Sequence, residues 1–237
     1  MPPRISPSPR LVLFDLDDTL CDYARARALR LRLAFSLDLG ERAVAPGAAE
    51  RDLDRMIADS LATEDHGADH FPELFRRHGV DDPAIAEAAA GWYRANRCHG
   101  LELFGDALET IAALRDLPPS DGGRVIGLVT NGPAEVQREK IALLGLDRVV
   151  DFAVVSGEFG IWKPDPRIFW EALRLGGAAP EEALFVGDSA EFDIAGARAV
   201  GMRTVWVNRS DRSWTTGSPP DWEICDLAEL VRMMRSG

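Results

Sequence analysis

Leu11-Val12-Leu13-Phe14-Asp15-Leu16-Asp17-Asp18-Thr19-Leu20 opens with four apolar residues and closes on three acids and a threonine. The apolar run, with its Val12 and Phe14, predicts a buried β-strand. Along an extended chain, side chains at i and i+2 share a face, so Asp15 and Asp17 are expected to point one way and Asp18 the other. Two carboxylates roughly 4 Å apart repel by about 4 kcal/mol even at an effective dielectric near 20. A strand end that carries such a pair needs a cation or a shared proton between them. The decapeptide therefore reads as a site, with Asp18 a bystander.

The rest of the chain says what kind of protein surrounds it. With 237 residues, 46% hydrophobic and 28% charged, the composition is that of a soluble globular protein with room for a core and an insertion. A net charge of −12 argues against nucleic-acid binding, and any anionic ligand has to be held by local groups. Three cysteines, Cys21, Cys98 and Cys225, form neither a disulfide framework nor a zinc pattern. No apolar stretch is long enough to span a membrane, and residues 1–9 read as a disordered lead-in without a signal-peptide core. The expected compartment is the cytoplasm. Arginine supplies nearly all the positive charge; the two lysines are Lys140 and Lys163.

Downstream, the pattern predicts helices through residues 22–100, among them Arg25–Leu39 with Leu29, Leu33 and Leu37 at four-residue spacing. Arg25, Arg27, Arg30 and Arg32 on that helix read as a solvated face. His66 and His70 raise a remote possibility of a metal site and read far better as a polar helix end. After a helix at 105–116 and a turn at 118–123, strands at 125–129, 152–155, 183–186 and 204–207 alternate with helices. Such alternation predicts an α/β fold, a Rossmann-like three-layer core built on a parallel sheet. The expected organisation is a core of residues 10–21 and 101–237 with a helical cap at 22–100 inserted after the first strand.

In open parallel sheets, ligands bind beyond the carboxyl ends of the strands. Asp15 and Asp17 follow the first strand, Thr130-Asn131-Gly132 the second, and Gly187-Asp188-Ser189 the fourth, with Asp193 five positions on. Lys163 lies in the loop before a helix that Asp165 is expected to cap and Pro166 to open.

The series Asp15-x-Asp17-x-Thr19, Thr130-Asn131, Lys163-Pro164 and Gly187-Asp188-x4-Asp193 resembles the four ordered motifs of the haloacid dehalogenase superfamily. The similarity spans residues 10 to about 208. Gln137-Arg138-Glu139-Lys140 and Lys163-Pro164-Asp165-Pro166 look like its helical-cap branch of house-cleaning nucleotidases and N-acylneuraminate 9-phosphatase. Phe192 and Trp162 depart from the usual polar or small residues there. The resemblance implies a phosphatase that hydrolyses a small phosphorylated metabolite through an aspartyl-phosphate, with Mg²⁺ as cofactor. It makes Asp15 the nucleophile, Asp17 the general acid and base, and Lys163 the catalytic cation. It gives phosphate binding to Thr130, Asn131 and Lys163. Asp15, Asp17 through its carbonyl, Asp188 and Asp193 are implied as metal ligands, the last directly or through water. A 2-haloacid dehalogenase or a non-catalytic phosphatase-like binding module is the alternative; dehalogenation needs no acid at position 17.

Overall fold

The computed structural model describes residues 4–37, 48–63, 66–117, 123–215 and 217–235. The chain divides into two compact units, Met1–Asp22 together with Glu102–Gly237, and Tyr23–Leu101.

The first unit is built on β1 (Leu11–Phe14). The second, helical unit holds α1 (Tyr23–Ser36), α2 (Ala48–Leu61), α3 (Phe71–Arg77) and α4 (Pro83–Ala95). The first unit then resumes with α5 (Ala107–Asp116), β2 (Val125–Thr130), α6 (Ala134–Leu143), β3 (Phe152–Val155), α7 (Ser156–Phe159), α8 (Pro166–Gly176), β4 (Ala183–Gly187), α9 (Gly196–Ala199), β5 (Arg203–Val207), β6 (Trp222–Ile224) and α10 (Leu227–Arg235). The sheet is wholly parallel in the order β3-β2-β1-β4-β5-β6. Between its neighbours, β1 is fully buried, which is why it reads as an uninterrupted apolar run rather than an alternating one. In register, Phe14 faces Leu128 and Val186, so β1, β2 and β4 deliver their C-terminal residues to one rim.

β6 escaped the sequence reading because three residues after Pro219-Pro220 give no periodic signal. Between β4 and α9 the chain forms a π-helical turn, Ala190–Ala195, where an ordinary helix was expected. Ile194 N–H reaches back to the Ser189 carbonyl at 3.1 Å, and the widened turn carries Asp193 inward to near-complete burial. Residues 4–9 are not the disordered lead-in expected of them. Ile5 is buried and its amide donates to Met233, while buried Arg124 bonds the Pro9 carbonyl at 3.1 Å and the Ser8 hydroxyl at 2.7 Å. The expected turn at 118–123 lies, apart from Gly123, outside the described residues.

The helical unit has its own core, in which Phe35 packs edge-on to Phe71 and Phe75, and Phe71 edge-on to Tyr93. Here the leucine stripe misled. Helix α1 buries Ala26, Arg27, Arg30, Leu31, Ala34 and Phe35, whereas Leu37 is exposed. The buried face contains two arginines, which an apolar pattern cannot reveal. His70 bonds the Ser60 hydroxyl at 2.7 Å and His66 stacks on Tyr23, so each imidazole has a structural partner.

Ile5→Ala should cost about 2–4 kcal/mol of unfolding free energy, as deletion of a buried branched side chain does, measurable by urea denaturation. A disordered tail would give no change.

Candidate active site

Where β1 ends, the chain leaves the sheet in a tight turn. Asp15 N–H still bonds the Val186 carbonyl, but Asp18 takes a left-handed conformation with φ 60°, and Leu20 and Cys21 amides close back on the Leu16 carbonyl. An aspartate tolerates that conformation better than a branched residue would. The turn gives Asp15 and Asp17 separate surroundings instead of one shared face.

Asp15 is buried against Lys163, whose Nζ lies 2.6 Å from Asp15 Oδ1 and 2.6 Å from Asp193 Oδ1. Asp193 uses its other oxygen to accept the Ser189 amide at 2.9 Å. Glycine is required at position 187, because a Cβ there would collide with the Asp193 carboxylate. Lys163 itself is fixed through its backbone. Asn131 Nδ2 donates to the Lys163 carbonyl at 3.0 Å, and Asn131 Oδ1 accepts the Lys163 amide at 2.8 Å. The Asn131 side chain is thereby committed to the lysine loop, and the Gly132 amide is committed to the Ser156 hydroxyl at 2.9 Å. On the next helix Asp165 accepts the Arg167 amide and Pro166 begins α8, as the sequence predicted.

Asp17 sits in a second network. Lys140 Nζ lies 2.7 and 2.9 Å from its two oxygens, and Gln137 Nε2 lies 3.2 Å from Oδ2 and 2.5 Å from Thr130 Oγ1. Because Thr130 accepts from Gln137, its own hydroxyl proton remains as a donor. Gln137 and Lys140 are three apart on the buried face of α6, so both reach the same carboxylate. The sequence shows these two residues only as part of a resemblance. The available signal was lysine usage: both lysines of the chain are buried, and each clasps an aspartate of the opening decapeptide.

Asp188 extends the acidic group. Carboxylate oxygens of Asp15, Asp188 and Asp193 lie within 4.8 Å of one another. The Asp17 carboxylate is turned toward Lys140 and does not join them. Trp206 Nε1 holds the Asp188 carbonyl at 2.7 Å, and Arg212 approaches that carbonyl at 2.9 Å and Oδ2 at 3.4 Å. Burial pushes Asp188 up to about 7, assisted by Asp193 and Asp18 and opposed by Arg212 and Lys163. Asp18 thus adds negative charge near Asp188. Burial likewise raises Asp15, with Lys163 opposing and Asp193 and Asp188 adding to the rise. Burial disfavours the Lys163 ammonium, but Asp15 and Asp193 outweigh it and raise its value. Against two buried carboxylates and a partly buried third, Lys163 with the exposed Arg212 at Asp188 still leaves negative charge in excess. An all-oxygen group of this kind fits a hard divalent cation such as Mg²⁺. Phe192 and Trp162 have exposed side chains, and Cys21 is buried with its thiol toward the Leu16 carbonyl.

The model of the haloacid dehalogenase-like hydrolases matches residues 9–201. The chain belongs to this family. It is similar to the glyceraldehyde 3-phosphate phosphatase of Methanopyrus kandleri, 33% identical across 95% of this chain and 97% of that one. The mouse N-acylneuraminate-9-phosphatase is 30% identical across 96% and 94%. Among solved structures, a phosphatase from Thermococcus onnurineus has 29% identity and a TM-score of 0.65, covering 94% of this chain and 97% of that one. The six-stranded parallel sheet with flanking helices is the fold of these hydrolases.

The raised carboxyls fix a pH dependence. The folded-state value of Asp188 lies above its ordinary 3.8, so the stability from its protonated form is present below about pH 4 and lost as pH rises through about 7. A cation that binds only the folded, ionised cluster offsets that loss. Millimolar Mg²⁺ should therefore raise the melting temperature clearly at about pH 8 and little at about pH 5. A pH-independent increment, or none, would count against the cluster as a cation site.

Proposed function

We propose that this hydrolase is a Mg²⁺-dependent phosphomonoester phosphatase that works through an aspartyl-phosphate on a small phosphorylated metabolite. The observation that carries the reading is the division of the two aspartates between separate lysines. Asp15 lies with Lys163 in the acidic cluster, while Asp17, two residues on, is held apart by Lys140 and Gln137.

The division suits two successive displacements. In the first, an Asp15 oxygen forms a bond to phosphorus as the bond to the substrate oxygen breaks, and Asp17 gives that leaving oxygen a proton. In the second, Asp17 takes a proton from a water whose oxygen attacks phosphorus, releasing phosphate and restoring Asp15. Lys163 stays charged throughout and neutralises the transferred group. A compact ammonium fits between Asp15 and Asp193, where a planar guanidinium would demand a wider gap. The Thr130 hydroxyl and the Asn131 backbone N–H are the donors assigned to phosphate oxygens. Asp15, Asp188 and the Asp17 carbonyl are assigned to the metal, with Asp193 behind them, since its oxygens already serve Lys163 and Ser189. When bound, Mg²⁺ supplies positive charge to the phosphoryl oxygens.

The inserted helical unit is the part assigned to choosing the leaving group, in the role of a cap. Relatives are named for glyceraldehyde 3-phosphate and for N-acylneuraminate 9-phosphate, so these two with nucleoside monophosphates form the screen to run first.

Turnover of p-nitrophenyl phosphate by the wild type, abolished by EDTA and restored by Mg²⁺, tests the reading. Asp15→Asn should lower kcat by a factor of about 10⁴; residual activity above about a tenth of wild type removes it as nucleophile. Lys140→Ala should lower kcat about tenfold to a hundredfold with KM little changed, because it loosens the proton carrier and not the phosphate site. A rise in KM alone would remove Lys140 from that role.

A further inference from the structure

Two strands of the sheet are followed by an asparagine that clamps a cationic residue. Asn131 follows β2 and holds the amide and carbonyl of Lys163, whose ammonium lies between Asp15 and Asp193. Asn208 follows β5, is 2% exposed, and makes the same pair of bonds to another residue. Its Oδ1 accepts the Arg212 amide at 2.8 Å, and its Nδ2 donates to the Arg212 carbonyl at 2.8 Å. Nδ2 also donates to Glu223 Oε1 at 2.6 Å, and the Asn208 amide bonds the Ile224 carbonyl at 2.8 Å, which ties the clamp to β6. A side-chain amide that serves both backbone groups of one residue fixes where that residue stands.

Arg212 stands against Asp188. Its Nη2 donates to the Asp188 carbonyl at 2.9 Å, and Trp206 Nε1 donates to the same oxygen at 2.7 Å. Its guanidinium carbon lies 5.7 Å from the Trp206 ring centroid. From this anchor Nη2 is 3.4 Å from Asp188 Oδ2, longer than the roughly 2.7–2.9 Å of a charge-assisted bond. Lys163, by contrast, is 2.6 Å from each of its carboxylates. The two clamped cations therefore act differently. Lys163 is buried and occupies one oxygen each of Asp15 and Asp193. Arg212, with half of its side chain exposed, brings positive charge to Asp188 without binding up its carboxylate. That carboxylate stays open to a second cation, which then shares it with a like charge.

We propose that Arg212 sets the affinity of the acidic cluster for its divalent cation, stabilising the metal-free cluster and weakening the hold on the metal by like-charge repulsion. The inference rests on the reading of the cluster as a Mg²⁺ site.

The test compares the full-length wild type with Arg212→Gln, which removes the charge, and Arg212→Lys, which keeps it. Mg²⁺ binding is measured by calorimetric titration, and melting temperatures are taken in EDTA and in saturating Mg²⁺. In about 20 mM salt, Arg212→Gln should bind Mg²⁺ about five- to tenfold more tightly, and Arg212→Lys within about twofold of wild type. The melting temperature of Arg212→Gln should fall in EDTA and fall less in Mg²⁺, because the tighter binding and the smaller loss are one linkage. Unchanged affinity, with equal falls in EDTA and Mg²⁺, assigns Arg212 to the structure of its loop and overturns the proposal. Weaker binding by Arg212→Gln makes Arg212 an orienter of Asp188 and overturns it as well. So does equally tighter binding by both variants, since charge is then not the cause. If the wild type binds no Mg²⁺, the cation reading itself fails and the proposal falls with it. If it binds Mg²⁺ but hydrolyses no phosphomonoester, the phosphatase reading alone fails, and the binding comparison still decides the role of Arg212.

Discussion

The ammonium of Lys163 between Asp15 and Asp193 is the interaction on which the rest of the core depends. Parallel strands bring their carboxyl ends to one rim, and here two of them, β1 and β4, are followed directly by acids, Asp15 and Asp188. Without a buried cation these acids would repel one another in a medium that screens poorly. The surrounding features serve the lysine's position. Asn131 grips both backbone groups of Lys163, Gly187 leaves room for the Asp193 carboxylate, and the π-helical turn swings Asp193 inward to receive it. A longer or planar cation would not reach two carboxylates at 2.6 Å in the same space.

Lys163 does not complete the charge balance. It serves two carboxylates while Asp188 stands close by, and burial pushes that third group up to about 7. The cluster is therefore protonated in part or completed by a cation. Asp17 is spared this conflict by the turn at Asp18, which hands it to Lys140 and Gln137 on α6. Two like charges two residues apart are decoupled by backbone geometry.

The sheet, its direction and the four rim loops were legible because they are written in uninterrupted apolar runs and in the residues that end them. Asp165 and Pro166 announced the start of α8 by cap chemistry alone. What escaped has a common cause: polar residues doing buried work. Gln137 and Lys140 look like one turn of a solvated helix until the sheet puts Asp17 against them. Arg27 and Arg30 look like part of a basic surface, and the leucine stripe beside them drew the apolar face to the wrong side of α1. The shared face expected of Asp15 and Asp17 failed because period-two reasoning assumes an extended chain, and the chain turns at Asp18. The N-terminal arm was misread because its proline-rich composition says nothing about Ile5 finding a buried seat or Arg124 finding carbonyls.

The core gathers carboxylates beyond what its described cations neutralise. Asp15, Asp188 and Asp193 lie within 4.8 Å of one another around Lys163, with Arg212 at the edge of Asp188. Stability alone does not explain such a group, since apolar residues of similar volume would pack the place at lower cost. Arg124 shows that this chain can bury a charged side chain with its donors satisfied when only structure is at stake. The crowded carboxylates around Lys163 are of another kind: an all-oxygen group whose geometry describes the cation that completes it.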